Sequence, residues 1–160
     1  MLKNNMNMKT KLFLLTMIIP FLLIAGMGCE QELSLSDLYH TWKFERFENV
    51  KNNSFEKADP SDCENCYRIT FVKDGKFSGF TASNSFFGEY QISGLEIKIT
   101  HFEITEIFEI GNGEKYVQTM LKIENFEIVK NKLKLYYNQG QNYLLFHLIS
   151  QSVWKQTNYF

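Results

Sequence analysis

The sequence predicts a mostly β domain: a small antiparallel β-barrel or strongly curved meander sheet with one short α-helix. Three observations carry this. Apolar and polar residues alternate from Thr41-Trp42-Lys43-Phe44 onward, which is the period of a half-buried strand. Turn dipeptides punctuate the pattern at Asp74-Gly75, Ser93-Gly94 and Lys130-Asn131. Only Glu114 to Glu124 changes to helical spacing, with Tyr116, Val117, Met120, Leu121 and Glu124 on one stripe. Many short strands with tight turns bury their apolar faces most simply by curling round on themselves.

The elements follow in order. Leu33, Leu35 and Leu38 among Ser34, Ser36 and Asp37 predict a short capped helical turn. The strand from Thr41 buries Trp42 and Phe44, and Phe47 joins that face after a slip of one residue. Asn49 to Glu64, with Pro60, reads as a polar loop. Tyr67 to Val72, the turn Lys73-Asp74-Gly75-Lys76 and Phe77 to Ala82 form a β-hairpin, because Asp-Gly accepts the positive φ of a tight turn. Phe87 to Ile92 and Leu95 to Ile99 predict a second hairpin. His101 to Ile110 continues it, with a bulge near Thr105 where alternation breaks. After the helix, Phe126 to Val129, Lys132 to Tyr137 and Tyr143 to Leu148 close a meander.

The N-terminus has a different logic. Lys9 and Lys11 precede an apolar run from Leu12 to Ala25, then Gly26-Met27-Gly28-Cys29. That order is read as a lipoprotein signal peptide, cut before Cys29, which then carries fatty-acyl chains such as palmitate. The run contains Pro20 and is short for a ~30 Å hydrocarbon core, against a permanent membrane helix. The expected organisation is residues 1–28 as signal peptide, 29–37 as an acidic and polar tether, 38–150 as one domain and 151–160 as a tail. Loss of Lys3, Lys9 and Lys11 leaves 14 basic against 18 acidic residues. A net acidic chain excludes nucleic acid as a natural partner. Glu30-Gln31-Glu32 is an acidic stretch of the kind that directs some Bacteroidetes lipoproteins to the cell surface. The expected location is the cell envelope, lipid-anchored and most simply at the outer membrane.

Cys63-Glu64-Asn65-Cys66 is the one constellation with spacing for chemistry. A redox dithiol needs a helix start to activate the thiol, and a strand pattern follows instead. Zinc needs about four ligands, and no second Cys pair or spaced histidines exist. An oxidising envelope permits a disulfide, worth roughly 2 kcal/mol for so short a loop. A structural disulfide is therefore expected, with the redox pair and half a zinc site as alternatives. His40, His101 and His147 lie in strand-like surroundings, far from any nucleophile motif. Glu96, Glu103, Glu106, Glu109 and Glu127 fall where a solvated strand face puts carboxylates. Asn84 and Gly88 read as backbone residues, one tolerant of a left-handed turn and the other of close approach, and Tyr90 as a core or rim aromatic.

Taken in order, several positions resemble the META domain of HslJ-like bacterial lipoproteins. They are Leu38-Tyr39-His40-Thr41-Trp42, Asp74-Gly75, Gly79, Asn84, Phe86 or Phe87, Gly88, Tyr90, Thr105, Glu114, Leu121 and Leu133-Lys134-Leu135. His40 stands where the family has glycine and Ser83 where it has cysteine. The resemblance implies a compact antiparallel β fold in the envelope, a link to stress tolerance, and no catalytic residues. It gives Trp42, Asp74, Gly75, Gly79, Asn84, Gly88 and Tyr90 structural roles. The expected function is that of a non-enzymatic envelope lipoprotein, without metal or cofactor, that binds the membrane through its lipid and another envelope protein or glycan through its surface. The alternative is a lipocalin-like carrier of a small apolar ligand.

Overall fold

The structure is a computed structural model that describes residues 35–149. Cys29, the signal segment, most of the tether and the tail lie outside the described residues. Among the described residues a short 3-10 turn, Leu35–Asp37, leads into nine strands and one helix. The strands are β1 (Thr41–Asn49), β2 (Phe55–Lys57), β3 (Arg68–Phe71), β4 (Lys76–Phe80), β5 (Ser85–Ser93), β6 (Glu96–Ile104), β7 (Ile123–Val129), β8 (Lys132–Tyr137) and β9 (Asn142–Leu148), with α1 (Gly113–Met120) between β6 and β7. All pairings are antiparallel. The sheet runs β2-β1-β3-β4-β5-β6-β7-β8-β9, and β1 also pairs with β9, so the ladder bends into a ring. β1 makes this possible by serving three neighbours: β3 against its first third, β2 against its last, and β9 along almost all of its other edge.

The ring is filled by its own side chains. Trp42, Phe44, Ile69, Phe71, Phe86, Phe126, Leu133, Leu135 and Phe146 are buried on inward faces, and Tyr67 and Tyr116 are buried with them. Phe44 lies at the centre, with ring centroids 5.1 Å from Tyr116, 5.5 Å from Phe146 and 5.8 Å from Tyr67. Such tilted aromatic contacts add to the area term, about 0.5–1.5 kcal/mol per pair. Helix α1 contributes by planting Tyr116 and Met120 among these rings. Trp42 donates its indole N–H to Leu38 O at 3.0 Å, which ties the 3-10 turn to β1 and satisfies the one polar atom of that side chain.

The expected slip in β1 is present. Phe44 pairs with Phe146 and Arg46 with Leu145, so Glu45 is an extra residue, and Phe47 returns to the inner face. Other expectations are corrected. The polar loop after Asn49 contains β2, which pairs Phe55 with Glu48 yet is exposed throughout, so no burial pattern announced it. The second hairpin is longer than expected, and its bulge falls at Thr100: Glu89 faces His101 while Tyr90 faces Ile99. β6 ends at Ile104, and residues 105–110 are irregular. The helix stops at Met120, because Ile123 is needed as a buried strand residue opposite Tyr137, and Glu124 goes with it into β7.

Two glycines set the spacing of the wall between β4 and β5. Gly79 faces Phe86 and Gly88 faces Phe77, two reciprocal cross-strand pairs. A Cβ on Gly79 would stand 2.4 Å from the Phe86 ring and 2.1 Å from Arg68 O; one on Gly88 would stand 2.6 Å from the Phe77 ring and 2.1 Å from His101 O. Each ring therefore lies over the space that the opposite glycine leaves. Gly75 is glycine for its turn, with φ at 81°. Gly88→Ala is expected to cost about 1–3 kcal/mol in urea unfolding. Phe77→Leu in the same chain should recover only part of it, since the His101 carbonyl stays where it is.

Candidate functional site

The segment after β6 is held by one side chain. Asn84, buried between β4 and β5, accepts at Oδ1 from Ile107 N at 2.8 Å and from the Thr105 hydroxyl at 2.9 Å. Its Nδ2 donates to Ile107 O at 2.7 Å and to Glu109 Oε1 at 2.6 Å. All four hydrogen-bonding positions of the amide are thus used, a full complement for this side chain. Thr81 completes the knot. Its hydroxyl oxygen accepts from Asn84 N at 2.8 Å, and its proton goes to Glu109 Oε1. Asn84 was expected to supply backbone tolerance; it supplies its side chain instead, and the positive-φ residues lie elsewhere. Glu109 was expected on a solvated face. It turns inward, with Oε1 in the knot and Oε2 against Gly113, where a Cβ would stand 2.1 Å away.

What the knot presents is apolar. Ile107 is 63% and Phe108 87% exposed, on the segment that Asn84 holds. Phe80 and Phe87, on the strands that flank Asn84, are 51% and 54% exposed. Pairing of Phe80 with Ser85 and of Ser78 with Phe87 puts these two rings diagonally across the outer face of β4 and β5. Thr105 N bonds to Ser85 O, which brings the segment alongside. Four large apolar side chains thus meet water on elements that the Asn84 knot ties together, the kind of exposure that marks contact surfaces.

The remaining sequence candidates fall into structural places. Trp42, Gly79, Gly88 and Tyr90 are in the wall and core. Tyr90 donates its hydroxyl to Val72 O at 2.8 Å, and Asp74 accepts Lys76 N at 3.2 Å, so together they shape the Asp74-Gly75 turn. Beside that turn, Leu35, Tyr39, Lys73, Tyr90 and Leu95 border an open groove of about 540 Å³. Cys63 and Cys66 stand at disulfide distance, with Cα atoms 5.4 Å apart. The sequence reading missed the neighbour of this loop: Lys43 donates to Cys63 O at 2.6 Å, to Glu64 O at 3.3 Å and to Cys66 O. Burial and then the adjacent Arg68 push the Lys43 ammonium down to about 8, so the carbonyl cradle holds a cation that its surroundings disfavour.

Two of the histidines and Glu127 are taken up by surface pairs. His101 sits 2.6 Å from Glu103, His147 3.0 Å from Glu45, and His40 packs edge-on against Trp42. Glu127 accepts from Lys134 at 2.8 Å and Tyr136 at 2.7 Å, which holds its carboxyl below the usual range. Among the described residues no three His, Cys, Asp or Glu side chains converge as metal ligands do. A small apolar ligand inside the ring would have to displace the buried Trp42, Phe44 and Tyr116.

Asn84→Ala should lower stability by about 3 kcal/mol in urea unfolding, because it removes four hydrogen bonds of a part-buried knot at once. Amides 105–109 should exchange faster by hydrogen exchange. Burial also pushes the Tyr67 and Tyr90 hydroxyls up to about 12, against about 10 in an unfolded chain. Between those values the unfolded chain has lost the proton and the folded one keeps it. Stability is therefore full below about pH 10 and should fall from there to pH 12, and Tyr67→Phe or Tyr90→Phe should flatten the fall in urea midpoints measured across that range.

The fold recurs in solved structures. The chain is similar to a protein from Burkholderia xenovorans solved by NMR, with 13% identity, a TM-score of 0.56, and coverage of 71% of this chain and 83% of that one. It is equally similar to a DUF4847 family protein from Bacteroides vulgatus, seen in a crystal structure at 1.00 Å, with 18% identity, a TM-score of 0.56, and coverage of 71% and 95%. Among curated proteins, none matches the chain. The model of the META domain matches residues 34–148, from the 3-10 turn to the last residue of β9, and the chain therefore belongs to the META domain family.

Proposed function

We propose that this chain is a lipoprotein of the bacterial envelope, anchored through an acylated Cys29, whose META domain is a non-enzymatic binding module. The observation that carries the reading is the surface of Phe80, Phe87, Ile107 and Phe108. A segment without regular structure is fixed by five hydrogen bonds through Asn84 and Thr81, and the result of that fixing is to hold apolar side chains in water. Such a surface lowers solubility unless something covers it. A protein partner suits it better than a glycan. Aliphatic Ile107 beside the aromatics offers no hydrogen bonds to sugar hydroxyls, while on the outer face of β8 the Tyr136 hydroxyl is already committed to Glu127. The signal-like N-terminus supports anchoring, and Glu30-Gln31-Glu32 supports a place on the outer membrane.

Two experiments test the two halves of the proposal. Cys29→Ser should move the chain from the membrane to the soluble fraction and abolish incorporation of labelled palmitate; retention in the membrane would sink the anchoring. A photo-crosslinker at position 108 should yield one discrete protein adduct in cells, lost when Phe80 and Phe87 are both changed to Ser. An absence of adducts from position 108 would sink the binding surface. Protease treatment of intact and lysed cells then assigns the face: digestion of intact cells places the partner outside, and protection until lysis places it in the periplasm.

A further inference from the structure

The two ends of the ring carry different surfaces. Adjacent strands alternate in direction, so the approach to β1 and the β3–β4, β5–β6 and β7–β8 turns all lie at one end. The Thr81–Asn84 turn and the segment after Ile104 lie at the other. At the first end each of the four connections places one large apolar side chain in water: Leu35 before β1, Val72 after β3, Leu95 before β6 and Val129 at the close of β7. Turns are ordinarily polar, and none of these four is needed by the core. Leu35 and Leu95 border the open groove of about 540 Å³ together with Tyr39 and Lys73, which brings two of the four onto one patch.

Charge at this end is mixed and balanced. Lys73 and Lys130 directly follow Val72 and Val129, both are exposed, and exposed Asp37 and Glu96 offset them. Asp74 is taken by Lys76 at 3.6 Å. An apolar rim interleaved with ammonium groups and carrying no net charge suits a zwitterionic lipid surface, where aliphatic tips enter the acyl boundary and lysines reach the headgroup phosphates. The chain itself says where such a surface stands. On the reading that Cys29 is acylated, five residues, Glu30 to Ser34, separate the lipid from Leu35. Six residue steps span at most about 22 Å. Turning the domain over would lift Leu35 by the height of the ring, about 23 Å for nine-residue strands tilted by about 40°, and would stretch that tether to its limit.

We propose that the end of the ring bearing Leu35, Val72, Leu95 and Val129 rests on the bilayer, with these side chains at the boundary between headgroups and acyl chains. The proposal rests on the anchoring of Cys29 and adds an orientation to it. One aliphatic tip alone would not hold a domain against a membrane. The anchor confines the domain to the surface, so four weak contacts act at high effective concentration and together suffice. The surface of Ile107 and Phe108 belongs to the opposite end and then faces away from the lipid, where a protein partner reaches it without passing under the domain.

Depth-dependent quenching tests this on the full chain, processed in cells, purified and reconstituted in phosphatidylcholine vesicles containing a lipid spin-labelled near its headgroup. A small fluorescent amino acid is placed at position 95, 130 or 108, one at a time. Flotation with the vesicles reports the anchor, and quenching of the floated protein reports the docking. Positions 95 and 130, on separate turns, should each be quenched at least about twofold more than position 108, because aliphatic tips at the acyl boundary lie within reach of a headgroup label. Leu35→Asp together with Leu95→Asp should at least halve the quenching at position 130 while flotation persists. Floated protein with equal quenching at all three positions, or with position 108 the most quenched, overturns the docking and leaves the anchor standing. Protein that does not float removes the anchor and the docking together.

Discussion

Phe77 and Phe86 fill the β4–β5 wall only because the residue facing each of them on the neighbouring strand has no side chain. A ring of eight strands must be packed from within or it leaves a void, and at this wall two aromatic rings stand where two strands lie in direct register. Gly79 and Gly88 resolve the conflict by exchange: each strand gives up one side chain and takes one ring across the ladder. Phe86 then reaches Phe102 in a stacked contact and Tyr116 of the helix, so the wall is joined to both the far side of the hairpin and the plug. The aromatic centre around Phe44, the position of α1 and the closure by β9 all presuppose that spacing.

Buried polarity is organised around the same hairpin. Beyond Phe80 the chain turns through Thr81 to Asn84, and that turn has to satisfy itself and also the irregular segment after β6. An amide is suited to this, since it donates and accepts from one planar group. The charge of Glu109 is drawn in as an acceptor rather than left as a free surface charge. Lys43 plays a comparable part on the other side of β1, where three carbonyls of the Cys63–Cys66 loop meet one ammonium. In both places a polar side chain replaces regular backbone pairing, and both segments are ones where the chain has left the sheet.

The sequence was most readable where burial and period agree. Trp42, Phe44 and the slip to Phe47 identified β1 and its bulge, and Asp74-Gly75 identified the sharpest hairpin. β2 was unreadable because Phe55, Glu56 and Lys57 are all exposed, so nothing in their polarity alternates. The end of the helix was misplaced for a different reason: Leu121 and Glu124 continue its spacing, and only the tertiary demand for Ile123 in β7 ends it. Asn84, Glu109 and Lys43 act through partners distant in sequence. Asn84 could be recognised as unusual, one amide within a strand-rich stretch, but its partners at 105, 107 and 109 carry no local signal.

β1 is the first strand of the domain and β9 the last, and the ladder they share closes the ring. Ile149 N still bonds to Thr41 O, so the two ends of the domain meet. A chain synthesised or exported from its N-terminus therefore presents Trp42, Phe44 and Phe47 long before their partners Leu144, Phe146 and Leu148 exist on the same side. Folding of this topology is governed by a contact spanning about a hundred residues, which makes it slow by the usual relation between loop length and rate. For the exported chain proposed above, that delay would be useful: the domain has no route to a closed ring until its final strand has crossed, so the chain would stay threadable for as long as threading is needed.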